Sequence, residues 1–543
     1  MSRHGAGGLR VGALRVGALL AVTLVAVGLL PSAASGEVEG SLEAEHRTVT
    51  IHIRDNLFAP SNLTVARGTT VRWVNDGRNT HNVTPSTEEH GSGNLKPGKS
   101  YIRTFTDTGT FAYYCTLHGT PTSGQHAALA IGDAAAATPV APIGGGDHPA
   151  PAFKASGRTI RVPADAKTIQ AGVDRARKGD LVLVSPGVYK ESVKVSTDGI
   201  VIRGLDRNRT ILDGEFKRDN GVFVVGANGV AVENLTARNY TENGFFWNGV
   251  LGYRGSYLTA YRNGDYGIYA YDAQYGQFDH SYASGSPDSG FYIGQCNPCH
   301  AVITDVVSEY NELGYSGTNS SGDLSLVNSV WSRNRSGIVP NTLDSEELPP
   351  QGEATIAGNL VTGNGEPNAA RSETPEFDAV FGGGIALIGS VADVVTKNRV
   401  LDNTKIGIAL APNPGIQTNV YPSTGNRVTD NVVKGSSTAD IAAVLPTIDD
   451  HNCFSGNTFA TSAPADIEQA KPCTGTGTGD LTTGAVDIGR FLDTSQNPPG
   501  RSYKETPVPK GQRTMPRANR AQARPAGVPV VVDLATIQVP TER

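Results

Sequence analysis

A glycine returns about every 23 residues through the middle of this 543-residue chain, a spacing in the range of solenoid repeats: Gly221, Gly244, Gly267, Gly290, Gly314 and Gly337, then Gly384 and Gly407. The units open on Gly-apolar-aromatic text such as Gly221-Val222-Phe223, Gly267-Ile268-Tyr269 and Gly290-Phe291-Tyr292. Several close on Asn-rich text, as in Arg262-Asn263-Gly264 and Arg333-Asn334-Arg335. A unit this short cannot bury a core alone, so successive units must stack. With 65 Gly and 32 Pro punctuating short β-branched and aromatic runs, the expected fold class is all-β.

Before the repeats lies a different pattern. Val49-Thr50-Ile51-His52-Ile53, Leu63-Thr64-Val65, Val71-Arg72-Trp73-Val74, Thr110 to Tyr114 and Ala128 to Ile131 read as the short strands of a sandwich over residues 45–133. Residues 134–157 are rich in Ala, Pro and Gly and read as a linker that lets two halves move independently. The repeats then occupy 158–475. A Pro-rich, basic tail fills 476–543, expected to lie extended along the solenoid, with Val528 to Val532 adding one edge strand.

At the start, Arg3, Arg10 and Arg15 precede an apolar run from Val16 to Leu30 and the small residues of Pro31 to Gly36. That order is a signal peptide over 1–36 and places the mature protein outside the cytoplasm. No later run is long and apolar enough to span a bilayer. A net charge of −6 supplies no basic field, which excludes nucleic acid as a partner. Five cysteines fit an oxidising compartment when sorted by neighbourhood: Cys296 with Cys299 and Cys453 with Cys473 as local disulfides, and Cys115 alone among histidines.

Asn75, His81-Asn82-Val83 and then Gly109-Thr110-Phe111-Ala112-Tyr113-Tyr114-Cys115-Thr116-Leu117-His118-Gly119 resemble the plastocyanin and amicyanin-like blue copper proteins. The resemblance implies a cupredoxin sandwich holding one copper ion through His81, Cys115 and His118. A thiolate with two imidazoles suits both oxidation states of copper, and a weak axial ligand tunes the potential. The axial Met usual in that family is missing, since the two methionines are Met1 and Met515. Gln125 stands at its position, which implies a lower potential than a Met-ligated relative has; His126 competes for the role and is read as a surface histidine.

The lead-in Thr168-Ile169-Gln170-Ala171-Gly172-Val173 through Pro186-Gly187-Val188-Tyr189, together with the repeats, resembles the right-handed parallel β-helix superfamily of pectate lyases, polygalacturonases and NosD-like proteins. The short helix is expected to cap the open end of the solenoid. This fold hosts many activities, so it does not assign one. Asn248, Tyr271 with Asp272, Gln295 and Asn319 fall at matching positions and are read as a solvated face in preference to a carbohydrate surface. Tyr271, Asp272 and His280 are the weak candidates for catalysis, although Asp279 and His280 should point opposite ways on one strand. The insertion from Pro340 to Gly352 should protrude; its acids Asp344, Glu346 and Glu347 suit calcium or a basic partner, with a plain solvated loop preferred. Cys296-Asn297-Pro298-Cys299-His300 spells the c-type haem signature, but a disulfide is preferred over haem or a second copper or zinc site with His300.

Together these readings give a secreted copper protein passing one electron to or from a redox partner, its β-helix binding a polysaccharide or that partner. An electron carrier is preferred over an enzyme. The alternatives are a polysaccharide lyase or hydrolase with an auxiliary copper domain, and a copper storage or delivery protein.

Overall fold

A computed structural model describes residues 48–87, 90–134, 141–372, 375–413, 419–491 and 493–542. The signal peptide expected over 1–36 lies outside them. No helix among the described residues is long and apolar enough to cross a membrane.

The amino-terminal strands form two four-stranded sheets. Thr48–Ile53, between Phe58–Ala59 and Thr70–Asn75, belongs to one, which Ser100–Thr104 completes. Ser123–Ile131 lies in the other between Asn62–Val65 and Gly109–Thr120, which itself pairs with Thr84–Pro85. Alternation sends Ile51, Ile53, Val71, Trp73, Phe111, Tyr113 and Leu129 into one core. The strand expected at Thr110 to Tyr114 runs on to Thr120. Its register with Ser123–Ile131 breaks between the pairs Tyr114–His126 and Gly119–Gly124, so the strand carrying Cys115 and His118 has more residues in that interval than its partner and bulges.

Every strand pairing in the solenoid is parallel, giving the right-handed parallel β-helix anticipated from the repeats. One face is a ten-stranded sheet running from Gly187–Tyr189 to Val432–Lys434. A second stacks Val222–Val225 on Phe245–Ser256, Ile268–Asp279 and Ser289–Gly294. Six of the repeating glycines share one cause. A Cβ on Gly221, Gly244, Gly267, Gly314, Gly337 or Gly384 would strike the carbonyl of the glycine one coil on, so only a residue without one lets the coils close to hydrogen-bonding distance. The Asn-rich ends form buried ladders. Asn311 donates to Asn334, Asn334 to Asn364 and Asn364 to Asn403, at 2.8–3.3 Å, and each amide also serves the backbone, satisfying polar groups at the corners. The helix Ile169–Asp174, its first turn capped by Thr168, buries Ile169 and Val173 at the end of this core as expected.

Several expectations of loose or exposed segments are overturned. Gly144 and Gly146 of the expected linker are bound along the β-helix: Gly144 N donates to Asp272 at 2.7 Å, and Gln274 Nε2 donates to Gly144 O and Gly146 O. The chain here is a strap, because Gly and Pro allow it to lie flat on a polar surface. The insertion does not protrude. Asn319 Nδ2 donates to the carbonyls of Leu343, Glu346 and Glu347 and folds it back. The tail does lie extended along the solenoid, held by basic side chains that donate to its carbonyls: Arg335 to Pro498, Arg207 to Arg513, Arg203 to Ala521 and Lys397 to Ile537. Val528 to Val532 forms no strand; Val530 N donates to the Gln277 side chain at 3.1 Å instead of to a strand, and Val531 is 93% exposed.

Candidate metal centre

His81 reaches the centre from a short turn fixed by Asn75, whose buried amide donates to Asn79 O and Leu95 O at 2.8 Å. Paired backbone bonds between His81 and Leu95 hold the other side. Cys115 and His118 come from the bulged strand, and Asn82 ties the two segments by donating to Thr116 Oγ1 and accepting from Thr116 N. The sequence thus places a thiolate and two imidazoles on opposed strand ends.

Their donor atoms meet. Cys115 Sγ stands 3.5 Å from His118 Nδ1 and 3.9 Å from His81 Nδ1, and these ligand atoms lie within 4.8 Å of one another, all in buried residues. Gln125, wholly buried, turns Oε1 to within 2.9 Å of His81 Nδ1. Its Nε2 donates to Arg54 O and Leu57 O, which fixes which amide end faces inward. Strand alternation sends the next residue outward, and His126 bonds the carbonyl of Gly124 instead. The donor set of one soft thiolate, two imidazoles and an amide oxygen fits copper, and Cys115 is the free cysteine among the described residues.

Burial alone would push the Cys115 thiol up, but the charge of His118 and the hydrogen bonds of both imidazoles outweigh it and bring it down to about 5. Burial opposes charge on His118; the Cys115 thiolate and then Glu242 overcome it and raise that imidazole well above its ordinary value. The thiolate is the ligand form of cysteine, and a metal ion that binds here would displace the proton that the sulfur and the imidazoles share.

Glu242 belongs to the β-helix, and nothing in the local sequence marks it. Its Oε2 lies 3.6 Å from His118 Nε2 and is oriented by Asn220. Asp55 Oδ1 stands 3.5 Å from His81 Nε2 in the matching place. Asn248 Nδ2 donates to His118 O at 2.8 Å, and Ser123 Oγ donates to Gly249 O at 2.8 Å. The solenoid therefore clamps the ligand loop, and His118 is 2% exposed.

The same coils explain the polar row read as a solvated face. Asn248, Tyr271, Asp272, Gln295 and Asn319 are all buried, covered in turn by the ligand loop, the strap and the insertion. Tyr271 donates to Gln295 Oε1 at 2.6 Å, and burial first of all lifts Asp272 to about 7. His280 does not join them. It follows the strand in the left-handed conformation, φ 49°, which turns its ring back onto Asp279 at 2.7 Å instead of away from it; Asp305 and Tyr257 are its other neighbours. Cys296 with Cys299 and Cys453 with Cys473 are disulfides, and His300 bonds Asp323 and stacks on Tyr275, so the haem-like signature is spent on a disulfide.

Comparison with known proteins finds matches to parts of the chain. A family model for the cupredoxin-like domain matches residues 19–126. Plastocyanin from Scenedesmus fuscus is 36% identical over 73 residues, covering 11% of this chain and 74% of that protein. Among solved structures, a purple cupredoxin from Nitrosopumilus maritimus is 25% identical over 15% of this chain and 97% of its own, with a TM-score of 0.14. The A-module of a mannuronan C-5 epimerase from Azotobacter vinelandii is 17% identical over 53% of this chain and 90% of its own, with a TM-score of 0.41. Through its amino-terminal domain, this chain belongs to the cupredoxin-like family.

Proposed function

We propose that the protein is an extracytoplasmic copper carrier of single electrons, with His81, Cys115, His118 and Gln125 as ligands and the β-helix as the partner- or polysaccharide-binding body that also encloses the metal centre. The observation that carries this reading is the convergence of a cysteine sulfur, two imidazole Nδ1 atoms and an oriented amide oxygen in one buried pocket. Bound there, copper supplies one-electron chemistry, its potential set by the axial ligand and the surroundings of the sulfur. The chain's own residues hold the ligands rigid: Asn82 N donates to Cys115 Sγ at 3.4 Å, and the clamp from Asn248 and Gly249 limits movement of the loop, which keeps reorganisation between the two charge states small. The disulfides support an oxidising compartment.

Reversible uptake of one electron per chain by the copper-loaded protein tests the reading; copper that leaves on reduction would favour storage or delivery, and turnover of uronic-acid polymers would put the chemistry on the β-helix. The carboxylate facing His118 gives a sharper handle. Its negative charge favours the more positive metal state, so Glu242→Gln is expected to raise the reduction potential by on the order of 60 mV, a tenfold shift in a one-electron equilibrium. Redox titration of the variant beside the native protein measures it, and an unmoved potential would remove Glu242 from the centre's surroundings.

A further inference from the structure

Positive charge is concentrated in the tail. Between Arg501 and Arg524 it also carries Lys504, Lys510, Arg513, Arg517 and Arg520, against the single acid Glu505, in a chain whose net charge is −6. All of these cations are exposed. Among the described residues none of them forms an ion pair or a side-chain hydrogen bond; Lys504 stands 5.5 Å from the rings of Phe216 and Tyr503. Their freedom follows from how the tail is held. The β-helix grips it by its carbonyls: Arg262 Nε donates to Thr506 O at 2.7 Å, Asn208 Nδ2 to Gln512 O at 2.8 Å and Arg254 Nη2 to Arg524 O at 2.8 Å. The main chain is fixed from below and its own cations are left outside. A tail already held in place also loses less entropy on binding than a free one.

The charged run is long and narrow. Arg501 N bonds Ala369 O at one end, and Ala521 O accepts from Arg203 at the other; at about 4.8 Å per coil, the coils between them span roughly 30 Å. At the Arg501 end the tail borders an open cleft of about 980 Å³, a size that suits several linked rings. Arg501, Lys504 and the half-buried Tyr503 line it on the tail side. The acids in the cleft are engaged elsewhere, Asp76 with His52 and Asp265 with Arg78 and Asn79, so the charge left open there is positive. A flat membrane would meet such a line at few points, and a compact acidic protein would not enter the cleft. A linear polymer with repeated carboxylates follows both.

We propose that the tail from Arg501 to Arg524, with the cleft beside it, binds a linear acidic polysaccharide. This rests on the reading of the β-helix as a polysaccharide-binding body, and it narrows that reading to carboxylate-bearing chains and to this surface. The full chain is tested without copper, which leaves the redox reading apart. Calorimetric titration compares carboxymethylcellulose with hydroxyethylcellulose of matched length, which share a backbone and differ in charge. The acidic polymer is expected to bind at least about tenfold more tightly. Arg513→Gln/Arg517→Gln/Arg520→Gln should weaken it by about tenfold at low salt, the combined scale of three exposed charge pairs, and should flatten its salt dependence. Arg72→Gln/Arg427→Gln/Lys434→Gln, which removes three exposed cations away from the tail, should leave the affinity within about twofold of native. Unchanged unfolding curves for both variants show that the fold is retained. Full affinity in the tail variant, or an equal loss in the other, would overturn the tail site and leave polysaccharide binding by the body standing. Equal binding of the two polymers would overturn the acidic class. Binding of neither, with or without retention on phosphatidylglycerol vesicles, would overturn the proposal and the polysaccharide reading together.

Discussion

Arg335→Met is expected to destabilise the protein by about 3–5 kcal/mol, the cost of stripping one partner from buried ions. Arg335 is fully buried. It donates to Glu312 Oε1 at 3.1 Å and Asp378 Oδ1 at 3.2 Å, lies 4.6 Å over the ring of Phe381, and donates to Pro498 O of the tail. Met fills much of the space but leaves Glu312 in a site where burial already lifts it to about 7. Urea unfolding reads the loss, and limited proteolysis should cut faster near residues 498–506, where the tail loses an anchor. Adding Glu312→Gln should recover part of the stability, because the stranded charge is the main cost. A variant within about 1 kcal/mol of native, inside the usual range of surface changes, would mean that the site collapses without needing the ion.

Asp393 sets the second large effect. Its Oδ1 accepts from Ala354 N and Gln351 Nε2, while its wholly buried Oδ2 has no partner. Burial first, and then the charge of Glu353, push it up to about 7, against about 3.9 in an unfolded chain. The native state therefore holds a proton through a window in which the unfolded state has released it. The stabilisation is complete below about pH 4 and is lost as pH rises through about 7, at about 1.4 kcal/mol per unit. Asp393→Asn resembles the protonated form at every pH. Its stability relative to native should climb across this window by up to about 4 kcal/mol, read from urea midpoints at several pH values. A difference that does not change with pH would show that Asp393 is ionised in the fold.

The parts of this structure that were legible in sequence are those whose cause is local or periodic. Six of the repeating glycines face the carbonyl of the next coil's glycine, so the solenoid writes its own period. Cys115 and His118 share one bulged strand, and Gln125 lies across the same hairpin, so three ligands sit within eleven residues of one another. What escaped is contact between segments far apart in the chain. Asn248 and Tyr271 were visible as a polar and aromatic row, but that the ligand loop, a glycine strap and a thirteen-residue insertion would cover it depends on surfaces that no window of sequence contains. Glu242, some 124 residues from His118, belongs to the same class. His280 failed for a different reason: a single left-handed residue after a strand reverses the alternation that the pattern assumes.

The visible absorption and EPR spectra of the full chain after loading with Cu(II), beside those of Cys115→Ser, test the central claim most directly. The account expects an intense thiolate-to-copper charge-transfer band in the native protein that is absent from the variant. A native spectrum without that band, or a band that survives in Cys115→Ser, would contradict the assignment of this buried pocket as a copper centre.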